Sequence, residues 1–394
     1  MQASDPRRLL LDLLGTRSPI DRERVLAITP GEWRRITRMA REHRLEPLLH
    51  AQHSANDAVP AATRAEWREQ HRAAGLAALV QQAELGETGA LLERHGFAPI
   101  ALKGAWLARY AYPSAAQRPL RDLDLLLSPE TVVPAFEHLR ASGYRLEDPL
   151  EMALDSYVAI DKHLPPLIAP RGTRVELHHR LWEPEGRLDH HAPERDEAAV
   201  RDRSIRLDGI AYPAPDDMLA HLIVHAAYSH RLDCGPLILS DIAFLVRREQ
   251  IDWAAFWDRA AAQGWREGAR LLLALATAYR EMPAVDLTDG AGPAPPRAVV
   301  EAAPALLLQA MNTRQSAGFI AAVRNHGFAG LWQRLRSRLS TREGATAARS
   351  HATEGGFLAW ARSRLARTAA DALTRGALRQ SRDLAAFSRW LDRR

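Results

Sequence analysis

Two aspartates at alternate positions open a short apolar segment, and this feature constrains the fold more than any other in the 394-residue chain. The segment covers residues 122–127 and reads DLDLLL. A short apolar run of this kind is typical of a largely buried β-strand. Side chains alternate between the two faces of a strand, so Asp122 and Asp124 point the same way, with Cα atoms roughly 6.5–7 Å apart. We therefore predict a buried strand with a pair of carboxylates on one face.

Such a pair can have a structural or a chemical role. An isolated Asp-x-Asp is more often a solvated strand edge or a cap than a site. A buried pair of carboxylates without a partner is unfavourable, because each charge loses its hydration. A magnesium ion removes that penalty, since it accepts carboxylate and phosphate oxygens together. Neighbouring segments decide between the two roles.

Those neighbours carry further polar residues at the ends of predicted strands. A short apolar strand over residues 98–102 is closed by Lys103-Gly104 and followed by a helix over 106–112. A third strand over 173–178 carries Glu176. Three carboxylates from two strands, beside a glycine turn, suit two-metal phosphoryl chemistry. The context therefore favours a site over a strand edge.

The rest of the chain predicts a helical protein around this unit. We divide it into an N-terminal helical region (1–95), a core (96–182), a helical domain (183–285), a linker (286–297) and a basic helical C-terminal region (298–394). The linker is predicted from its Pro and Gly content. The core, with strands and helices in alternation, predicts an α+β fold.

Charge is distributed unevenly along the chain. Residues 314–394 contain sixteen arginines and five acidic residues, although the whole chain has a net charge of only +5. This makes the basic C-terminal region a candidate contact for an acidic partner, although a solvated arginine face on ordinary amphipathic helices is the preferred interpretation. The single cysteine, Cys234, and the lack of a transmembrane segment or signal peptide predict a cytoplasmic protein.

Histidines outside the strands offer a rival site. His221 and His225 are spaced i, i+4 on a predicted helix, with Asp241 on the next, and this spacing can bind zinc. A structural pair between packed helices is the favoured interpretation. Lys162 and His163 precede a Pro-Pro turn, which favours a surface loop over a substrate contact.

Several motifs in their order along the chain resemble a known family, the uncharacterised bacterial nucleotidyltransferases of the polymerase-β-like superfamily. The resemblance covers roughly residues 30–265. It is carried by these segments: Leu102-Lys103-Gly104, Arg118-x-x-x-Asp122-Leu123-Asp124, Gly143-Tyr144, Val175-Glu176-Leu177-His178, His221-Leu222-x-x-His225 and Ser240-Asp241-Ile242. It implies a small mixed sheet of the polymerase-β-like type, embedded between N-terminal and C-terminal helical regions.

The resemblance also implies roles for the residues that match its motifs. Asp122, Asp124 and Glu176 would be the catalytic, metal-binding carboxylates, holding Mg²⁺ or Mn²⁺, and Glu176 would help to deprotonate the acceptor. Nucleotide binding is assigned to four residues: Lys103, Gly104, Arg118 and His178. Gly104 would let the backbone approach the triphosphate, while Lys103 and Arg118 would neutralise phosphate charge. His178 lies two residues past Glu176, so it shares the same face.

The expected reaction is transfer of an NMP, with ATP as the default donor, onto a hydroxyl of a peptide, protein or small-molecule acceptor. One departure from the superfamily pattern is that Ala105 and Trp106 follow Gly104, where Gly or Ser is usual. Two alternatives stay open. Nucleotide-sugar glycosyltransferases also use Asp-x-Asp, and a degenerate fold could serve as a non-catalytic, antitoxin-like binding protein.

Overall fold

Among the residues that the computed structural model describes, seven short strands form one mixed sheet, with helices before it, between its strands and after it. The structure describes residues 5–182, 193, 196–285, 290–309, 320–321, 324–325, 327 and 375–392. The strands are β1 (Ile100–Ala101), β2 (Leu123–Leu126), β3 (Arg145–Leu146), β4 (Leu167–Ile168), β5 (Arg174–His178), β6 (Ile205–Leu207) and β7 (Ile210–Tyr212). The α+β class with a small mixed sheet is confirmed.

The sheet places β2 near its centre. Its strand order is β3-β4-β5-β2-β1-β7-β6. β2 is parallel to β5 and antiparallel to β1, while β1 is parallel to β7. The outer pairs β3-β4, β4-β5 and β6-β7 are antiparallel. All four residues of β2 are buried, as its apolar composition predicted.

Within residues 5–95, five helices precede the sheet: α1 (Pro6–Leu14), α2 (Arg22–Leu26), α3 (Pro30–Glu42), α4 (Glu46–His53) and α5 (Ala61–Arg94). Thr29 caps α3 in a reciprocal capping box with Glu32, and Pro30 occupies the first helical position. α5 ends where Gly96 adopts a φ of 81°, a conformation that glycine tolerates readily. The prediction that residues 1–95 are helical is confirmed over the described part.

Ten further helices follow β1 in the described ranges. They are α6 (Gly104–Trp106), α7 (Val132–Ala141), α8 (Leu154–Ile160), α9 (Glu197–Asp202), α10 (Pro215–Val224), α11 (Leu237–Arg248), α12 (Trp253–Ala262), α13 (Arg266–Tyr279), α14 (Arg297–Leu307) and α15 (Arg375–Leu391). Helices α6 and α10 continue as π-helical turns over Leu107–Ala111 and His225–Ser229. The strands β6 and β7 lie within 183–285, where the sequence indicated only helices. The division into five regions stays a prediction.

One apolar cluster runs through the sheet and the helices on both sides of it, so the core and the following helices pack together. Within the described ranges, no helix is long and apolar enough to cross a membrane. Most of the basic C-terminal region lies outside those ranges. In its described end, Phe387 of α15 is buried, and Arg231 pairs with Asp392.

Candidate active site

The parallel pairing of β2 with β5 brings the predicted acidic residues together. Asp124 lies directly opposite Glu176 in the register, and Leu126 lies opposite His178. Residues opposite each other on neighbouring strands share a face, and residues two apart on one strand do so as well. Asp124, Glu176 and His178 therefore project from the same face of the sheet, and all three are buried.

His178 connects the two carboxylates. Its Nε2 lies 3.1 Å from Asp124 Oδ1 and 3.5 Å from Glu176 Oε2. One ligand atom from each of the three residues can be chosen so that all lie within 4.8 Å of one another. Among the residues that the structure describes, this is the only group of three or more His, Cys, Asp or Glu side chains with such spacing.

Lys103 contacts the second carboxylate oxygen of Asp124, the one that His178 does not contact. Its Nζ donates to Asp124 Oδ2 at 2.9 Å. The backbone of Lys103 has φ 45° and ψ −110°, a region that side-chain-bearing residues rarely occupy. Strain of this kind persists only when the surrounding structure enforces it, and it is concentrated at functional sites. The turn after β1 thus aims the lysine at the carboxylate.

Gly104, the next residue, packs closely against the segment that precedes β2. A Cβ atom at this position would lie 2.6 Å from Leu120 Cδ2 and 3.5 Å from Arg118 Nη1. A larger residue would therefore push Leu120 away from the turn. Trp106, which departs from the superfamily pattern, is 2% exposed and packs into the core.

Asp122 lies just before β2 and belongs to the more open edge of the cluster. Its side chain is 29% exposed, and its Oδ2 is 3.5 Å from Arg174 Nη1. The same Arg174 Nη1 lies 2.7 Å from Glu176 Oε1, and Arg174 Nε donates to Glu147 Oε2 at 2.8 Å. Arg174 therefore stands between Asp122 and Glu176 at the edge of the site.

The three carboxyl groups differ in the direction of their pKa shifts. Burial, followed by repulsion from Asp124 and Glu176, raises the pKa of Asp122 to about 6. Burial also acts to raise the pKa of Asp124, but Lys103 and His178 outweigh it and hold that pKa well below its usual value. Burial opposes the charged form of Glu176, yet His178 and His163 lower its pKa. Acidic charge is thus incompletely neutralised, most of all at Asp122.

The pKa of the His178 imidazole is raised, unlike those of Asp124 and Glu176. Burial acts to lower its pKa, but Asp124 and then Glu176 raise it above the ordinary value. His163 lies beside it, since residues 163 and 178 form an isolated antiparallel bridge. His163 Nε2 is 3.6 Å from Glu176 Oε2. The segment carrying Lys162 and His163, for which a surface loop was favoured, therefore contributes His163 to the site.

Arg118, predicted to bind phosphate, has a different immediate partner. Its Nε and Nη2 donate to the two carboxylate oxygens of Asp241 at 2.7 and 2.9 Å, and its Nη1 donates to the Pro119 carbonyl. Tyr112 donates its hydroxyl to Asp241 Oδ1 at 2.7 Å. Asp241 is therefore paired with Arg118 and Tyr112, not with His221 and His225. Phosphate binding by Arg118 stays a prediction.

Arg174 was not predicted as a site residue from the sequence, and Asp241 was placed beside His221 and His225 rather than beside Arg118. Arg174 could have been identified, because it lies two residues before Glu176 and so shares its face with Glu176 and His178. The partnership of Asp241 with Arg118 links positions 123 residues apart, and no local pattern encodes it.

The site thus combines carboxylates from two adjoining strands, a strained lysine turn and a glycine that packs tightly against the segment before β2. A comparison with protein families matches residues 29–281 to the family described as uncharacterised nucleotidyltransferase. The curated proteins and the solved structures gave no match. The matched segment spans well over half of the chain and includes β1 to β7 with all the residues of the site. The chain belongs to this family of nucleotidyltransferases.

Proposed function

We propose that the protein moves AMP from ATP onto a hydroxyl of a peptide, protein or small-molecule acceptor, with Asp122, Asp124 and Glu176 holding the divalent cations. The observation that carries this proposal is the pairing of Asp124 with Glu176 on adjacent parallel strands, beside Lys103. Membership of a nucleotidyltransferase family supports the transfer of a nucleotidyl group in general.

The donor set fits a divalent cation. Three acidic side chains lie close together, and two of them are buried. The nearby cations are Lys103 and Arg174, and Arg174 is shared with Glu147. When bound, divalent cations would neutralise phosphate charge and polarise the reacting phosphorus centre.

The residues of the chain would then position the reactants. Lys103, held by Asp124 at the turn, offers an ammonium to a phosphate oxygen. The acceptor oxygen attacks the α-phosphorus, forming the new O–P bond as the bond to the β-phosphate oxygen breaks, and pyrophosphate leaves. The proton of the acceptor hydroxyl passes to a carboxylate, for which Glu176 is the proposed base. Asp122 and Arg174 lie at the more exposed edge, where the acceptor would enter.

The test uses the full chain with each α-³²P-labelled NTP, or with UDP-[¹⁴C]glucose, in the presence of Mg²⁺ or Mn²⁺. A bacterial extract, separated into protein, peptide and small-molecule fractions, supplies the acceptors. We expect label transfer from ATP with release of pyrophosphate. Asp124→Asn should abolish transfer, whereas Asp208→Asn, at an exposed acid paired with Arg109, should not.

Other outcomes would overturn the proposal. Transfer of glucose without pyrophosphate would identify the protein as a glycosyltransferase. Binding of an extract component without turnover of any donor would instead support a non-catalytic role. Transfer that survives Asp124→Asn would show that the chemistry occurs elsewhere.

A further inference from the structure

The carboxylates of the site are accompanied by imidazole groups, and this bears on which metal ion the site accepts. His178 is 1% exposed, and its Nε2 approaches oxygens of both Asp124 and Glu176. Without an ion, a single N–H shared between the two oxygens accounts for this geometry. An approach to two carboxylates at once resembles the convergence of ligands on a shared point.

The spacing of these atoms suits a coordination sphere. Two ligands at right angles on an ion, each about 2.1 Å from it, lie about 3 Å apart, and tetrahedral ligands lie slightly farther apart. The distances from His178 Nε2 are 3.1 Å to Asp124 Oδ1 and 3.5 Å to Glu176 Oε2. One small ion could therefore contact all three groups with modest side-chain adjustment.

His163 supplies a second, independent observation. Its Nδ1 is 2.8 Å from the Leu164 carbonyl oxygen, which can only accept, so Nδ1 carries the proton. In the neutral ring Nε2 then presents a lone pair. That lone pair lies 3.6 Å from Glu176 Oε2, which is also an acceptor. Two acceptors that face each other in a buried site are stabilised by a cation.

We propose that His178 is a nitrogen ligand of the metal bound by Asp124 and Glu176, so that this site selects a first-row transition-metal ion over Mg²⁺. Imidazole nitrogen binds such ions well, whereas Mg²⁺ prefers oxygen ligands. The inference rests on the metal site of the proposed function and adds a ligand to it. His163 lies beside His178, with ring centroids 5.0 Å apart, and faces the same oxygen of Glu176.

The experiment detects the ligand directly, without measuring activity. Mn²⁺ is added to the full-length protein, and electron spin-echo envelope modulation records coupling of the bound ion to nitrogen. We expect a ¹⁴N modulation in the wild type that falls in His178→Gln and is unchanged in His179→Gln, a buried histidine next to it. Calorimetry should show Mn²⁺ binding at least about tenfold tighter than Mg²⁺, with the difference reduced in His178→Gln.

A second sample, made from the wild-type protein, gives a result that does not depend on whether His178→Gln folds. Protein labelled with ¹⁵N only in histidine should replace the ¹⁴N pattern by that of ¹⁵N. Mn²⁺ that binds without nitrogen coupling would overturn the histidine ligand and leave the proposed transfer reaction standing. Failure of both Mn²⁺ and Mg²⁺ to bind, in the presence or absence of ATP, would overturn the proposed metal site as well. Equal affinity for the two ions would refute the selectivity.

Discussion

Two buried charged clusters lie on neighbouring parts of the molecule, and they differ in how completely their charges are paired. In the closed cluster, Arg118 donates two hydrogen bonds to Asp241, and Tyr112 donates a third. In the open cluster, Asp122, Asp124 and Glu176 share Lys103, His178 and Arg174, and Arg174 also pairs with Glu147.

The difference separates a structural contact from a candidate site. One cation and one anion with matched hydrogen bonds tie the turn before β2 to helix α11. An excess of carboxylates with incomplete partners is instead unfavourable until a cation binds. The contrast predicts that substitutions in the open cluster change activity, while substitutions in the closed cluster change stability.

The largest expected effect is on catalysis. Asp124→Asn removes a charge that would stabilise the reacting phosphate through bound cations, so nucleotidyl transfer should fall on the order of 10³-fold or more. The rate of pyrophosphate release from ATP measures it, with Asp208→Asn as the control. A fall smaller than about tenfold would remove Asp124 from the catalytic set and weaken the contrast between the clusters.

The next effect is on stability. Asp241→Asn leaves the buried Arg118 guanidinium without its charged partner, which should lower the free energy of unfolding by about 3 kcal/mol. Urea denaturation followed by circular dichroism measures the change. The double variant Arg118→Met/Asp241→Leu removes both charges and should recover most of the loss. If the single variant unfolds at the same urea concentration as the wild type, the closed cluster does not stabilise the fold.

The smallest effect tests Asp122, which has only a long contact with Arg174 in the open cluster. The pKa of Asp122 is raised to about 6 in the folded protein, so its ionised form destabilises the metal-free fold. The penalty is absent below the unfolded pKa of about 4, grows between pH 4 and 6, and is full above pH 6. Asp122→Asn should therefore stabilise the metal-free protein by roughly 1–2 kcal/mol at pH 8 and have no such effect at pH 4.

Thermal or urea unfolding of the metal-free protein at the two pH values measures this third effect. The transfer rate of Asp122→Asn at pH 8 should fall, although its stability rises. A variant that is less stable than the wild type at pH 8 would contradict the pKa shift. It would place Asp122 among the fully paired charges.

Local patterns predicted much of the fold. The region expected to be helical over 1–95 contains the long helix α5, Ala61–Arg94, and the strands expected at 122–127 and 173–178 are β2 and β5. The strands β3, β4, β6 and β7 were not predicted, because two or three residues are too few to establish a period of two. The prediction that β2 is buried is confirmed, since its apolar run leaves little choice of environment.

The sequence by itself determined that residues 174, 176 and 178 share a face, because the alternation of a strand is a local property of the backbone. It also determined the family, through motifs that occur in a particular order. Only the tertiary structure decided that Asp124 lies opposite Glu176 and that residue 163 pairs with residue 178. It also decided that Asp241 accepts hydrogen bonds from Arg118. Register and long-range pairing depend on how the whole core packs, and no local spacing encodes that packing.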